Sequence, residues 1–361
     1  MSVKNILVTC IIFISSSLFA QKVVPFVDFN DYFRTFENEN FRQLEFQPIR
    51  DYQAGDDLVA YIDTRGNLRV YDGVERQDIS NMIVSYKISD HLLAYNIGPT
   101  LNMWDEGKLQ TLTYFAGNYE VTDSLIVFQD TRFNTVNVYW NKQVIQLYQT
   151  TGENYMPLAI GDNIIAFKDN GNFYKVFWRG EIYELGVWHN PITFKAGCDV
   201  LCFNDPTTQT FAVFENGEFL DVEQFHMGKH KAGRGFIVYE DLNGNLNYYS
   251  NGTRAQLSNF SAKFWDAKDD LVVWTENNFM FALQDGRRIE VTNYLPKDHL
   301  IKNNTLVFRS LIGGVNVLSE GKVHELTNQM DAEYEIYGNT VLLKLFNRSF
   351  VVFKKGKKYT A

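Results

Sequence analysis

The chain has 361 residues, 45% hydrophobic and 15% aromatic, with a formal charge of −9. That length suits one large or two medium domains. The acidic balance leaves no electrostatic footprint for nucleic acid or an anionic membrane.

Residues 1–20 read as a secretory leader: Lys4, the apolar run Ile6–Ile14, then Ser15–Ala20. Cleavage is expected near Ala20. The run is too short to span a bilayer. Cys10 lies ahead of most of that run, so it does not sit as the cysteine of a lipoprotein signal would. No later segment has the length and apolarity of a membrane helix, and no membrane insertion is expected. The expected product is an exported chain, periplasmic or extracellular, with residues 21–361 forming one domain.

From Phe26 onward one unit recurs. Its first strand closes on an aromatic: Phe26, Tyr61, Tyr95, Phe128, Phe167, Phe203, Tyr239, Trp274 and Phe308, with Leu343 in the tenth copy. The steps between the aromatics run from 33 to 39 residues. A second column pairs an alternating apolar run with a turn, as in Leu101, Met103, Trp104 with Gly107, or Phe211, Val213, Phe214 with Gly217. Period-2 apolar runs are strands with one face in a core. Asp72–Gly73, Asn216–Gly217, Asn251–Gly252 and Asp285–Gly286 are dipeptides that accept positive φ in two-residue hairpins. Lys142 stands where Gly is expected, which predicts a different turn there.

The first unit, Val23–Phe46, starts without room for a strand in front of Phe26. Later units have one: Val84–Ile88, Tyr119–Thr122, Pro191–Phe194, Lys263–Asp266 and Tyr334–Tyr337. Each full unit therefore has about four strands. The longest interruptions are Tyr148–Gly161 and Glu223–Gly235. No linker, low-complexity stretch or amphipathic helix separates the units. A fixed period in this range is a repeat architecture, in which no unit buries its own faces alone.

Four antiparallel strands per repeat, arranged radially, make a β-propeller blade. The turns Asp63–Gly66–Asn67 and Asp241–Gly244–Asn245 resemble those of extracytoplasmic TolB-like and WD40-like propeller repeats. The likeness spans nearly all of residues 21–361 and implies an all-β propeller. The WD40 Gly-His and Trp-Asp signature is absent from the aligned positions. Ten units exceed the usual four to eight blades. One ring of eight to ten blades is expected, with two smaller propellers or an open solenoid as alternatives.

Several residues invite a chemical reading. Asp28, Asp63, Asp130, Asp169, Asp205, Asp241 and Glu276 recur after the aromatic strand. They could form a carboxylate ring for cations, or each could cap its own turn; the second is preferred, because a residue repeated in most units serves the unit. Asp241, Asn243 and Asn245 mimic the start of a calcium loop, but Leu246 and Gly252 replace its Gly and Glu. His226 and His230 are metal ligands only on a helix with a third ligand from elsewhere. Cys198 and Cys202, if on one extended strand, lie about 13 Å apart and stay unbridged. No Gly-x-Ser-x-Gly, His-Glu-x-x-His, phosphate loop or Rossmann fingerprint occurs, and no cofactor or metal is expected.

In a four-stranded blade the turn after the second strand and the connection to the next blade emerge on the same face. The connections hold Tyr114, Phe115, Tyr155, Trp188, His189, His226 and Trp265, which are the candidate binding residues. The expectation is a non-enzymatic binding or scaffold module for a protein or glycan partner. Its alternatives are a glycan-cleaving propeller that uses face carboxylates and a TolB-like envelope-assembly partner. The sequence fixes no oligomeric state.

Overall fold

The computed structural model describes residues 23–361 except 83, 151–155 and 188–190. The leader reading falls outside them. The described residues form ten antiparallel meander sheets and no helix. Nine sheets have four strands; the first, blade 1, has three, Val24–Val27, Phe33–Glu37 and Asn40–Glu45.

Each blade is built from the two columns visible in the sequence. The column lies on the second strand of every full blade and on the first strand of blade 1, and it is almost fully buried, its most exposed member being Tyr95 at 4%. Burying one such side chain contributes roughly 2–3 kcal/mol. The cores form between blades rather than within them. Leu125, Val127, Val136 and Val138 of blade 4, for example, pack on Ile165, Phe167 and Phe177 of blade 5. That is why no single unit stands alone.

The ring closes, which removes the solenoid and the two-propeller alternatives. Val24, Phe26 and Phe36 of blade 1 share a core with Tyr337, Leu342, Phe350 and Val352 of blade 10, with the Phe26 and Phe350 rings 4.6 Å apart. On its other side blade 1 packs Phe33 against Tyr61 of blade 2 at 4.9 Å.

Turn chemistry follows the sequence with two corrections. Asn216–Gly217, Asn251–Gly252 and Asp285–Gly286 adopt positive φ at both positions. The turn at Asn141–Lys142 is not different: both residues take positive φ, 46° and 64°, and Lys142 Nζ pairs with Glu106 at 2.7 Å. Asp72–Gly73, by contrast, is not a two-residue hairpin. The Asp72 carboxylate accepts the backbone N–H groups of Val74 and Glu75, holding a four-residue loop. The innermost strands of blades 6 and 8 start later than the sequence suggests, at Phe194 and Trp265.

Polar groups tie neighbouring blades at the end of the third strand. Glu37 accepts the Tyr71 hydroxyl at 2.5 Å, and Asp105 accepts Tyr139 at 2.7 Å. Glu215 accepts Tyr249 at 2.7 Å together with the amides of Asn251 and Gly252, both at 3.1 Å. Glu215 and Tyr249 are both buried, so Glu215→Ala leaves three donors unsatisfied. The expected loss is about 2 kcal/mol, read as a lowered urea midpoint. Glu218→Ala, at an exposed position of the same hairpin, should leave the midpoint unchanged.

Candidate binding face and channel mouth

Meander topology gives the disc two different faces. One carries the turns between second and third strands together with the blade-to-blade connections. The other carries the innermost hairpins and the outer hairpins.

On the first face the recurring carboxylates are consumed by their own turns. Asp63 Oδ1 accepts the amides of Arg65 and Asn67, and Asp241 Oδ1 those of Asn243 and Asn245, all at 2.9 Å. Asp28, Asp130, Asp169 and Asp205 do the same. Glu276 departs from the pattern and binds Arg288 at 2.5 Å. In the calcium-like turn, Asn245 and Asn247 point their amide nitrogens at Asp241 Oδ2, so these side chains present donors rather than cation ligands.

The first face is apolar to an unusual degree. Its turns expose Phe29, Phe133, Leu242, Leu311, Ile312 and Phe346, the last at 81%. Its connections expose Phe46, Tyr114, Phe225, Phe260, Leu295 and Met330, with Tyr114 at 68%. The loops of the second face expose Val74 as their one large apolar side chain among the described residues. That face instead carries Asp56, Asp57, Asp90, Asp123, Asp162 and Asp199 at its innermost turns. Apolar side chains scattered singly need no explanation; their segregation onto one face does.

The axial end of the second face holds a feature that sequence reading missed. Each innermost turn donates a backbone N–H to the next blade. Asp56 donates to Asp90 Oδ1, Asp90 to Asp123 Oδ1 and Asp123 to Asp162 Oδ1, at 2.8–2.9 Å. Asp162 then donates to the Gly197 carbonyl, Cys198 to Gly233 and Arg234 to Asp269. Asp270 donates to Asn303, Asn304 to Asn339 Oδ1, and Gly338 to Asp56 Oδ1 at 2.7 Å. This belt runs from blade 2 to blade 10 and back to blade 2, bypassing blade 1. Lys302 Nζ reinforces the closure, 2.6 Å from Asp56 and 3.4 Å from Asp90. Parallel bridges join Asp162 to Cys198 and Cys198 to Arg234. The signal was present: Asp56, Asp90, Asp123, Asp162, Cys198 and Arg234 each stand five residues before the aromatic of their blade.

Cys198 thus belongs to the belt and Cys202 to the buried strand Val200–Asn204; both are free thiols. Burial pushes the Cys198 thiol up to about 12, with the Asp199 charge acting the same way.

At the first-face end of the channel, blades 5 to 8 enclose a cavity of about 1020 Å³. A smaller one of about 250 Å³ continues to the belt and shares Ile160, Ala196 and Ala232 with it. The larger is lined by Lys195, Lys229, Lys231, Lys263, Trp265 and Glu240 among others. Trp265 sits on the innermost strand Trp265–Lys268, not in a connection, and its indole N–H donates to Glu240 at 2.6 Å. Burial alone would raise the Asp266 pKa, but His299 and Lys231 outweigh it and hold the carboxyl down at about 2.

The other candidate residues are dispersed. Tyr114 is exposed on the connection between blades 3 and 4, and Phe115 beside it stacks under Arg132. His226, on an extended loop, has its Nε2 2.9 Å from the Asp205 carbonyl. His230 begins the innermost strand of blade 7 and lines the cavity. Tyr155, Trp188 and His189 lie outside the described residues.

The architecture defines a closed, all-β ring of ten blades around an axial channel. The chain belongs to the ten-bladed β-propeller domain family, whose model matches residues 17–359. Among solved structures it is similar to Citrobacter koseri AztD, at 9% identity and TM-score 0.35, covering 84% of this chain and 93% of that one. It is also similar to Porphyromonas gingivalis PorZ, a surface component of the type-IX secretion system, at 9% identity and TM-score 0.29. That match covers 94% of this chain and 58% of PorZ. The computationally designed Ika8 protein matches at 14% identity and TM-score 0.33, covering 70% of this chain and 90% of Ika8. No curated protein matches.

Proposed function

We propose that the chain is an exported, non-enzymatic binding module that docks a partner protein on its apolar face. The observation that carries this reading is the segregation of exposed Phe, Tyr, Leu, Ile and Met side chains onto one face, opposite a face rich in aspartate. A large exposed apolar surface on a rigid ring is the kind that a protein partner covers. The leader-like residues 1–20 support export. The channel mouth does not favour glycan hydrolysis: Glu240, the one carboxylate lining it among the described residues, is held by Trp265 and Lys229, and acid–base hydrolysis needs two.

The test is capture from an envelope fraction by the tagged protein, with the bound species identified. Tyr114→Asp and Phe346→Asp should each weaken capture about tenfold or more, as loss of a central apolar contact does. Val144→Asp and Ile182→Asp, exposed on outer strands, should leave it intact. Equal loss from both pairs, or from neither, would overturn the reading.

A further inference from the structure

The channel mouth is charged in the opposite sense to the chain. Of the four lysines lining the cavity, two are neutralised: Lys229 by Glu240 at 3.1 Å and Lys231 by Asp266 at 2.5 Å. Lys263 Nζ donates to a neutral group, Asn278 Oδ1, at 3.1 Å. Lys195 makes no ion pair among the described residues. Two residues lining this open cavity, Lys195 and Lys263, therefore carry cations with no carboxylate partner among the described residues, in a chain of formal charge −9.

The cavity walls are suited to an extended chain. Innermost strands Ala159–Ile160, Phe194–Ala196, His230–Ala232 and Trp265–Lys268 are sheet edges whose outward sides meet the channel. Small side chains there (Ala159, Ala196, Ala232) let a ligand approach the backbone. Phe194, Phe264 and Trp265 supply apolar walls. Neither ring nitrogen of His230, which also lines the cavity, has a hydrogen-bond partner in normal geometry, although both are buried. The mouth opens at the centre of the apolar face.

We propose that the channel mouth between blades 5 and 8 receives an extended acidic segment of the partner protein, with Lys195 and Lys263 taking its carboxylates. This rests on the docking reading above. An extended peptide satisfies strand edges through its own amides while alternate side chains reach the lysines. An acidic polysaccharide offers carboxylates but no amide ladder.

Three probes decide the matter by fluorescence anisotropy on the full chain: a labelled octapeptide alternating Glu and Val, its Gln–Val counterpart, and an oligogalacturonate. The Glu peptide should bind at least about tenfold tighter than the Gln peptide, and less tightly as salt rises. Lys195→Glu/Lys263→Glu should remove that preference, while Lys108→Glu on an outer strand should not. Equal binding of the two peptides overturns the proposal, as does a preference that survives the double substitution. Oligogalacturonate binding without peptide binding overturns it in favour of a glycan. The Tyr114→Asp and Phe346→Asp variants, placed far from blades 5 to 8, should bind the Glu peptide normally. If they still capture the partner while Lys195→Glu/Lys263→Glu abolishes peptide binding, the docking face fails and the channel site stands. The reverse pattern sinks the channel site alone.

Discussion

Replacing Gly197 by alanine is expected to destabilise the fold by about 3 kcal/mol, at the upper end of what overpacking costs. A Cβ at Gly197 would lie 2.0 Å from the Gly233 carbonyl oxygen, and one at Gly161 would lie 2.0 Å from that of Gly197. Both obstacles are backbone, so no rotamer change relieves the clash. Neither glycine needs positive φ; the requirement is purely the close approach of adjacent innermost turns. Those turns must approach because they exchange the belt hydrogen bonds, Asp162 N–H to Gly197 O and Cys198 N–H to Gly233 O, both at 3.0 Å. Alanine at either position must part the turns and break the link. Gly228→Ala is the matched control: it lies near the same channel with nothing within 4 Å of its Cβ and should stay within about 0.5 kcal/mol of the parent. Urea unfolding measures both. Native-state hydrogen exchange at Asp162 and Cys198 should show lost protection in Gly197→Ala. An unchanged midpoint together with unchanged protection would show that the belt contributes nothing.

The repeat was legible because its two columns are written in local chemistry. Tyr239 and its counterparts end apolar runs, and Asn251–Gly252 accepts positive φ; both signals are complete within a few residues. Blade 1 was legible for the same reason: Phe26 lies on an apolar strand and Asp28 holds the turn that follows it. The belt was not legible because partners on successive blades lie 33–39 residues apart, those of the closing link lie 282 apart, and its acceptors change from carboxylate to backbone carbonyl around the ring. Position five before the aromatic reads Asp, Asp, Asp, Asp, Cys, Arg, Asp, Asn and Gly from blade 2 to blade 10. What persists is a backbone N–H of the turn, from that position in most blades and from the next residue, Asp270 or Asn304, in blades 8 and 9, which a search for chemical side chains passes over. In the sequence Trp265 falls both in the short run Lys263–Asp266 ahead of the main strand and among the connection residues. Its pairing with Trp274 and its Glu240 bond place it in the channel wall. The apolar face emerged only from topology. Phe29, Phe260 and Phe346 are unremarkable in sequence until the meander brings their loops to the same side.

Lys302→Met should cost roughly 3–5 kcal/mol at neutral pH, the range for removing one partner of a buried ion pair. Lys302 is three-quarters buried, and it bridges Asp56 and Asp90 where blades 9, 2 and 3 meet across the channel axis. Methionine keeps the length and removes the cation, leaving like charges together. The pH dependence identifies the cause. Burial raises the Asp90 pKa to about 7, the Asp123 and Asp56 charges push the same way, and Lys302 opposes them. A carboxyl whose folded pKa lies above its unfolded one takes up a proton on folding. Its contribution is fully present below the unfolded pKa near 4 and is lost as pH rises through about 7. Lys302→Met removes the opposing charge, moves the Asp90 pKa higher, and should make the loss steeper between pH 5 and pH 8 by these shifts. Acidification toward pH 5 should therefore recover much of the lost stability. Asp90→Asn keeps an oxygen to accept the Asp56 amide and discards the charge. On its own it should stabilise the protein at pH 8 and change little near pH 4, and in the double variant it should restore part of the Lys302→Met loss. Thermal melts of the four proteins across that range measure all of this. A Lys302→Met deficit that is small, or that does not vary with pH, would mean that the axial charges are screened by solvent and that the belt closes on its backbone hydrogen bonds alone.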